Sequence, residues 1–371
     1  MLPSLDNLSL LELQELAVSL GEPKFRGEQL YGAVLRGKEF SEITNLPKAF
    51  IEKVSEKYTA QSLTVHSVYT SRDKSQKYLF TLSDGNIIES VFMPHSYGDT
   101  VCVSTQCGCR MGCVFCASGE GGLVRSLTAG EIFGQVIQIN RRSYSNFDGG
   151  VRNITNIVLM GSGEPLDNYD EVVRFVNLAN EVKGLNISRR NISLSTVGIV
   201  PNIYRLADEN VGVTLAISLH ASDDNTRNTL IPMNKKYPIE DIIKAAKYFV
   251  EKTGRRVCFE YAMTGLENSS INSAKHLARL VKGFQTHVNL IPLNFVKEKD
   301  VKPASEQRIN AFLETLTSLG VSATIRFSSG GDSNAACGQL RARFLTQSGE
   351  ARKNTPTTQR ERLNSKSDGS K

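Results

Sequence analysis

Thr100-Val-Cys-Val-Ser-Thr-Gln-Cys-Gly-Cys-Arg-Met-Gly-Cys-Val-Phe-Cys116 begins as a short apolar run and breaks into a loop, and it carries five of the chain's seven cysteines. The other two are Cys258 and Cys337. Cys109, Cys113 and Cys116 are separated by three and then two residues, so three thiolates can converge from one segment on a compact centre. Thiolates are soft donors suited to zinc or to iron–sulfur clusters. A structural zinc site wants four ligands. Cys107 is the candidate fourth, although the single residue between it and Cys109 is tight for a tetrahedron. A [4Fe–4S] cluster on three thiolates would instead leave one iron open to a substrate, and unligated core thiols are the third reading. An odd, clustered set argues for metal or catalytic chemistry over disulfide staples.

Outward from this loop, short apolar runs alternate with helical patterns. Strands are expected at Thr100–Ser104, Ile154–Met160, Arg190–Thr196, Val213–Leu219, Val257–Ala262, Val288–Pro292 and Ala323–Phe327. Helices fit 128–142, 169–182, 202–210, 239–253, 271–283 and 305–318. Such alternation implies parallel βαβ units and an α/β fold. Six or so units are too few to close an eight-stranded barrel, so an open, partial (β/α)6 barrel over 96–345 is expected.

Upstream, Ser9-Leu-Leu-Glu12 is a capping box opening the first of three helices in a small helical domain over 1–60. Its exposed Lys24, Arg26 and Lys38 suit either plain packing or RNA contact. Residues 61–95 alternate apolar and polar around Asp84-Gly85, the pattern of a β-hairpin bridge. In that pattern Glu89 is expected to be half-exposed. The tail, 346–371, sets six basic residues against three acidic ones, contains no aromatic residue, and reads as a disordered basic extension. The net charge of +6 permits a nucleic-acid partner without specifying one. No apolar run reaches a membrane span, and the acidic first 20 residues do not read as a secretory signal, so a cytoplasmic chain is expected.

Polar residues cluster where apolar strands end: Met160-Gly-Ser-Gly-Glu-Pro165, Leu194-Ser195-Thr196, Ser218-Leu219-His220, and Asn294 after Ile291-Pro292-Leu293. In barrel-like folds the C-terminal strand ends form the active face. Gly161 and Gly163 would let backbone approach a ligand, and Glu164 would hold an ammonium group there. Cys258, in Val257-Cys-Phe-Glu-Tyr261, reads as a small packing residue.

The CxxxCxxC loop after a first barrel strand, with Phe115 before the last cysteine, resembles the radical S-adenosylmethionine (SAM) superfamily. With Cys102-Val-Ser-Thr-Gln-Cys-Gly-Cys109, Gly161-Ser-Gly-Glu-Pro165, Ser193-Leu-Ser-Thr196, Ser218-Leu-His220, His287-Val-Asn-Leu-Ile-Pro292 and Ala335-Ala-Cys-Gly-Gln-Leu340, the chain up to about Leu345 closely resembles the RlmN/Cfr family of radical SAM RNA methyltransferases.

That resemblance implies a radical SAM barrel holding one [4Fe–4S] cluster on Cys109, Cys113 and Cys116. It implies SAM, two molecules per turnover, contacted by Gly163, Glu164, Ser195, Ser218, Leu219, His220 and Asn294. It also implies that Cys337 carries the methyl group as S-methylcysteine, that Cys102 resolves the protein–RNA crosslink by forming a disulfide with Cys337, and that Glu89 is a proton acceptor. The implied substrates are one adenosine of 23S rRNA and the adenosine 3′ of the tRNA anticodon, methylated at C2. An external electron donor such as flavodoxin or ferredoxin is implied, and the chain is expected to act as a monomer. The Cfr-like alternative is C8 methylation of the same rRNA adenosine, which confers antibiotic resistance. A zinc-binding RNA module without catalysis is the alternative from another class. Two departures stand out: Ser162 replaces the family's usual Met, and Asp332-Ser333 replaces the usual Asp-Ile.

Overall fold

The structure, a computed structural model, describes residues 2–143, 154–293 and 301–326. Asn294, Cys337, the Ala335–Leu340 motif and the 346–371 tail lie outside the described residues.

Helix α1 (Leu10–Ser19) begins at the expected capping box: the Glu12 amide donates to the Ser9 hydroxyl, and the Ser9 amide donates to the Glu12 carboxylate at 2.7 Å. Leu10, Leu13 and Ala17 form its buried stripe. Helices α2 (Lys24–Leu35) and α3 (Lys48–Ser55) complete the N-terminal group. Arg174 bonds the Glu12 carboxylate and the Tyr31 hydroxyl donates to Glu181, fastening these helices to the rest of the chain.

The segment expected as a hairpin is a three-stranded meander. Strand β1 (Leu63–Thr70) precedes the predicted pair β2 (Gln76–Leu82) and β3 (Ile87–Met93). The meander does not bridge to a separate sheet. β3 pairs antiparallel with β4 (Asp99–Cys102), so the alternating segment extends the main sheet. After β4 come two short strands, β5 (Gln106–Gly108) and β6 (Leu123–Ser126), which among the described residues pair only with each other. The βα alternation then runs α4 (Ala129–Ser143), β7 (Ile154–Leu159), α5 (Tyr169–Asn180), β8 (Ile192–Thr196), α6 (Val200–Asp208) and β9 (Thr214–Ser218). It continues with α7 (Asp224–Leu230), α8 (Ile239–Thr253), β10 (Val257–Met263), α9 (Ile271–Val281), β11 (Thr286–Pro292), α10 (Glu306–Ser318) and β12 (Ala323–Ile325).

Strands β4 and β7 through β12 are all parallel, in sequence order, within one ten-stranded sheet. Each consecutive pair in this run is joined by a helical crossover, which gives the partial (β/α)6 barrel expected from the alternation.

Side chains alternate between the two faces of a strand, and the register shows what each face does. Val101, Ile157, Leu194, Leu215, Ile217, Phe259, Tyr261, Val288 and Leu290 are buried in the core shared with the helices. Each contributes about 1.5–3 kcal/mol by burial. The alternate positions form the opposite, inner face. Cys102 is opposite Val91 and beside Val158, Val158 beside Ser193, and Ser195 beside Ala216. Ser218 is beside Glu260, Glu260 beside Asn289, and Asn289 beside Thr324. That face is largely polar.

Candidate active site

The three-cysteine loop is the connection between β5 and β6. At its base Gly108 has φ +78°, and a Cβ there would lie 2.0 Å from the Gly122 carbonyl oxygen. The Cys109 amide donates to the same oxygen, so only glycine closes this stem. Arg125, on β6, anchors the stem to Asp84 in the β2–β3 turn at 2.5 Å and to Glu131 at the start of α4 at 2.7 Å. The far side of the loop rests on α7. The Val114 amide donates to the Leu230 carbonyl at 3.0 Å, and Cys113, Val114 and Phe115 pack on Ala221, Leu230 and Ile231.

Among the described residues, no three His, Cys, Asp or Glu side chains are gathered closely enough to hold a metal ion as they stand. The donor set still fits a cluster. Burial pushes the Cys109 thiol up to about 12, with Cys116, Glu164 and Asp167 adding repulsion. Burial pushes Cys113 up as well, with Cys116 and Cys109 adding to it. Soft thiols on one loop that repel one another as anions suit a polycationic iron–sulfur core. Cys107, the proposed fourth zinc ligand, is fully buried in the apolar core.

The turn after β7 zips onto this loop's stem. The Thr105 and Gln106 amides donate to the Ser162 carbonyl, the Ser162 amide to the Ser104 hydroxyl, and the Glu164 amide to Gln106 Oε1 at 2.9 Å. Gly163 has φ +108°, and a Cβ there would lie 2.6 Å from that of Gln106. The Ser162 hydroxyl, at the departure from the family pattern, comes within 3.3 Å of Ser118 in the cysteine loop. Arg110 in the loop is ion-paired to Asp167. Glu164 is buried, its two carboxylate oxygens accepting from the Leu166 amide at 3.0 Å and the Val197 amide at 2.8 Å. Burial pushes its carboxyl up to about 7.

Ser195 and Ser218 meet on the inner face with hydroxyls 3.4 Å apart. Leu219, also expected at the site, is fully buried; its amide donates to the Glu260 carbonyl. His220 follows with φ +58°, a conformation uncommon for a non-glycine residue. Its Nδ1 accepts from the Ala262 amide at 2.9 Å, which leaves the ring proton on Nε2. Burial, with help from the Arg227 charge, pushes the imidazole down to about 3, so it stays neutral. The ring sits edge-on to Phe115, centroids 4.9 Å apart, which joins the strand end to the cysteine loop.

Three expectations change. Glu89 is not half-exposed: it is 4% exposed, 3.6 Å from the equally buried Lys77, and neither carboxylate oxygen has a hydrogen-bond partner among the described residues. Alternation hid this because β3 is buried on both faces. Val91 opposes Cys102, and Glu89 lies two residues along β3, so Glu89 shares the inner face with that thiol. Cys258 is not a core packer. Its neighbours Val257 and Phe259 fill the core, whereas Cys258 lies on the inner face beside Ala216 and His287. Finally, sequence reasoning missed Arg227 altogether. It is fully buried on α7 and donates to the carbonyls of Val197 at 2.6 Å, Ser218 at 3.1 Å and Leu219 at 3.0 Å, bracing the strand ends that carry Ser218 and His220.

Residues 103–281 match the Radical SAM superfamily. A probable dual-specificity RNA methyltransferase RlmN from Geobacillus kaustophilus is 45% identical over 344 residues, 92% of this chain and 93% of the relative. Its namesake from Clostridium tetani is 47% identical over 341 residues, 91% of this chain and 96% of its own. The crystal structure of a radical SAM methyltransferase from Sphaerobacter thermophilus superposes with a TM-score of 0.87 at 42% identity, covering 91% of this chain and 98% of that one. With an inner-face thiol, a three-cysteine loop and relatives of this identity along more than nine-tenths of its length, the chain belongs to the RlmN family of radical SAM RNA methyltransferases.

Proposed function

We propose that this enzyme methylates C2 of one adenosine in 23S rRNA and of the adenosine 3′ of the tRNA anticodon. The observation that carries the reading is the inner face, where Cys102 and Glu89 share one surface with Ser195 and Ser218. Cys109, Cys113 and Cys116 hold the cluster, and Glu164, Ser195, Ser218, His220 and Asn294 hold SAM. Glu164 takes the ammonium group, and His220, protonated on Nε2, offers one donor. When bound, these cofactors supply one-electron cleavage of the sulfonium and a 5′-deoxyadenosyl radical.

The protein supplies a methyl carrier and an exit. The Cys337 thiolate would take the methyl group of one SAM, releasing S-adenosylhomocysteine; loss of a hydrogen atom from that methyl group to the 5′-deoxyadenosyl radical, and of one electron, would let its carbon join the adenine. Glu89, buried and without hydrogen bonds to its oxygens among the described residues, takes the ring proton. The Cys102 thiolate then attacks the Cys337 sulfur, so that the sulfur–carbon bond breaks as the disulfide forms and the released carbon takes up a proton to become the methyl group. Two electrons from outside restore both thiols. RNA contacts come from the basic surface, including Lys24, Arg26 and Lys38 of the N-terminal helices, and are salt-sensitive. An external flavodoxin or ferredoxin supplies the electrons, and two SAM molecules are consumed per turnover.

Mass spectrometry of rRNA and tRNA nucleosides from cells with and without the protein tests this. 2-Methyladenosine in both pools is expected. 8-Methyladenosine in its place would move the chemistry to C8, and no difference would refute RNA methylation. Cys102→Ala should accumulate a nuclease-sensitive protein–RNA adduct, and Cys337→Ala should form none.

A further inference from the structure

Arg227 is a cation in a place where charge is expensive. It has no exposed surface, and among the described residues its five acceptors are all neutral: the carbonyls of Val197, Ser218, Leu219 and Tyr237 and the side-chain oxygen of Asn234. Among the described residues no carboxylate forms an ion pair with it, whereas Arg110 in the cysteine loop is paired with Asp167. Carbonyl dipoles satisfy its N–H groups but supply no net charge; Asp224, three residues earlier on α7, favours the guanidinium without forming an ion pair with it, and a buried ion so weakly compensated is costly. A lysine there could shed its proton; an arginine cannot.

The position of this charge is specific. α7 carries Arg227, and the Leu230 carbonyl at the end of that helix receives the Val114 amide. Cys113, Val114 and Phe115 pack on the same helix end. The guanidinium is therefore built into the support of the segment that carries Cys113.

We propose that Arg227 is the buried counter-charge of the iron–sulfur cluster, a positioning residue that raises its reduction potential by stabilising the more negative, reduced state. The proposal rests on the reading that Cys109, Cys113 and Cys116 ligate the cluster. Three thiolates outweigh the charge of an oxidised core, and reduction adds one more negative charge to the same low-dielectric site. Net charge and burial are among the levers that set such potentials. Bracing the Ser218 and Leu219 carbonyls is then a second consequence of holding the cation still.

The test is a potentiometric titration, read by electron paramagnetic resonance, of the anaerobically reconstituted full chain as wild type, R227Q and R227K. R227Q is expected to lower the midpoint by at least the 59 mV that equals a tenfold change for one electron. R227K, titrated at a pH low enough to keep the lysine protonated, retains the charge and loses most of the bracing, and should return most of that shift. If R227Q titrates at the wild-type potential, or R227K falls as far as R227Q, the counter-charge is refuted and Arg227 is a structural brace. A loss of melting temperature with potentials unmoved gives the same refutation. Should R227Q take up no iron, R227K decides: a loaded cluster near the wild-type potential supports the proposal, and a folded R227K without a cluster overturns it. A wild-type protein with no iron–sulfur signal would instead refute the ligand reading on which the proposal rests.

Discussion

Glu164→Gln isolates the carboxylate assigned to the SAM ammonium group. Its two oxygens already accept from the Leu166 and Val197 amides at 3.0 and 2.8 Å. A carboxamide can satisfy one of these amides and must turn its own NH2 toward the other, so either orientation leaves a buried donor unmet. That costs about 1–3 kcal/mol of stability. Lost pairing with the ammonium removes about 1.5–3 kcal/mol of binding, roughly a tenfold to hundredfold weaker Kd.

The pH dependence has a definite sign. Burial raises the carboxyl from its ordinary 4.5 to about 7. Between those values the unliganded fold keeps a proton that the unfolded chain has lost, so its stability falls as pH rises through the window. A bound ammonium favours the carboxylate instead, so wild-type affinity should weaken as pH drops below 7, and E164Q should lack that dependence. Calorimetric titration of anaerobic protein with SAM on both sides of pH 7, beside thermal melts, measures each quantity. E164Q binding SAM as tightly as wild type, or a wild-type affinity flat across that range, would refute the assignment.

Gly108→Ala forces a Cβ to within 2.0 Å of the Gly122 carbonyl oxygen, so the β5–β6 stem must open; iron content after reconstitution should fall sharply while the melting temperature moves only a few degrees. Cys107→Ala should keep its iron, because Cys107 faces the apolar core, and Cys113→Ala should not; equal iron loss in both would return the four-thiolate zinc site. Asp6 is buried and accepts from Ser4 at 2.5 Å and from the Ser62 amide and hydroxyl at 2.9 and 2.6 Å, and burial pushes it up to about 6. Its folded state therefore holds a proton the unfolded chain loses above the usual 3.8, and stability declines as pH rises to about 6; Asp6→Asn should flatten that part of a pH–melting curve.

Local signals carried far where one interaction decides the structure. The Ser9–Glu12 capping box and the apolar runs from Ile154 to Ile325 placed α1 and the parallel strands within a few residues. They failed where environment decides. β3 looked half-exposed because alternation reports one buried face, and its second face is closed by a charged pair, Lys77 and Glu89, which no apolar pattern marks. Asp224-Asn-Thr-Arg-Asn-Thr-Leu230 has no hydrophobic period, so neither α7 nor the burial of Arg227 could be read from it. Cys258 was misplaced for a related reason: in the continuous apolar run Val257-Cys-Phe259 its small apolar side chain reads as core, although alternation puts it on the face opposite its two neighbours.

The alternation of the parallel strands separates two kinds of evolutionary freedom. A change at Leu215, Phe259 or Leu290 disturbs helix packing, and cavities at such sites cost about 2–5 kcal/mol. Ala216, Ala262 and Asn289 lie on the other side of the same strands and, among the described residues, are not part of the core shared with the helices. Substitutions there can reshape the inner cavity while the scaffold keeps its stability, so new substrate preferences can arise one inner-face residue at a time. An insertion of a single residue has the opposite effect: it exchanges the two faces downstream and loses core and chemistry together.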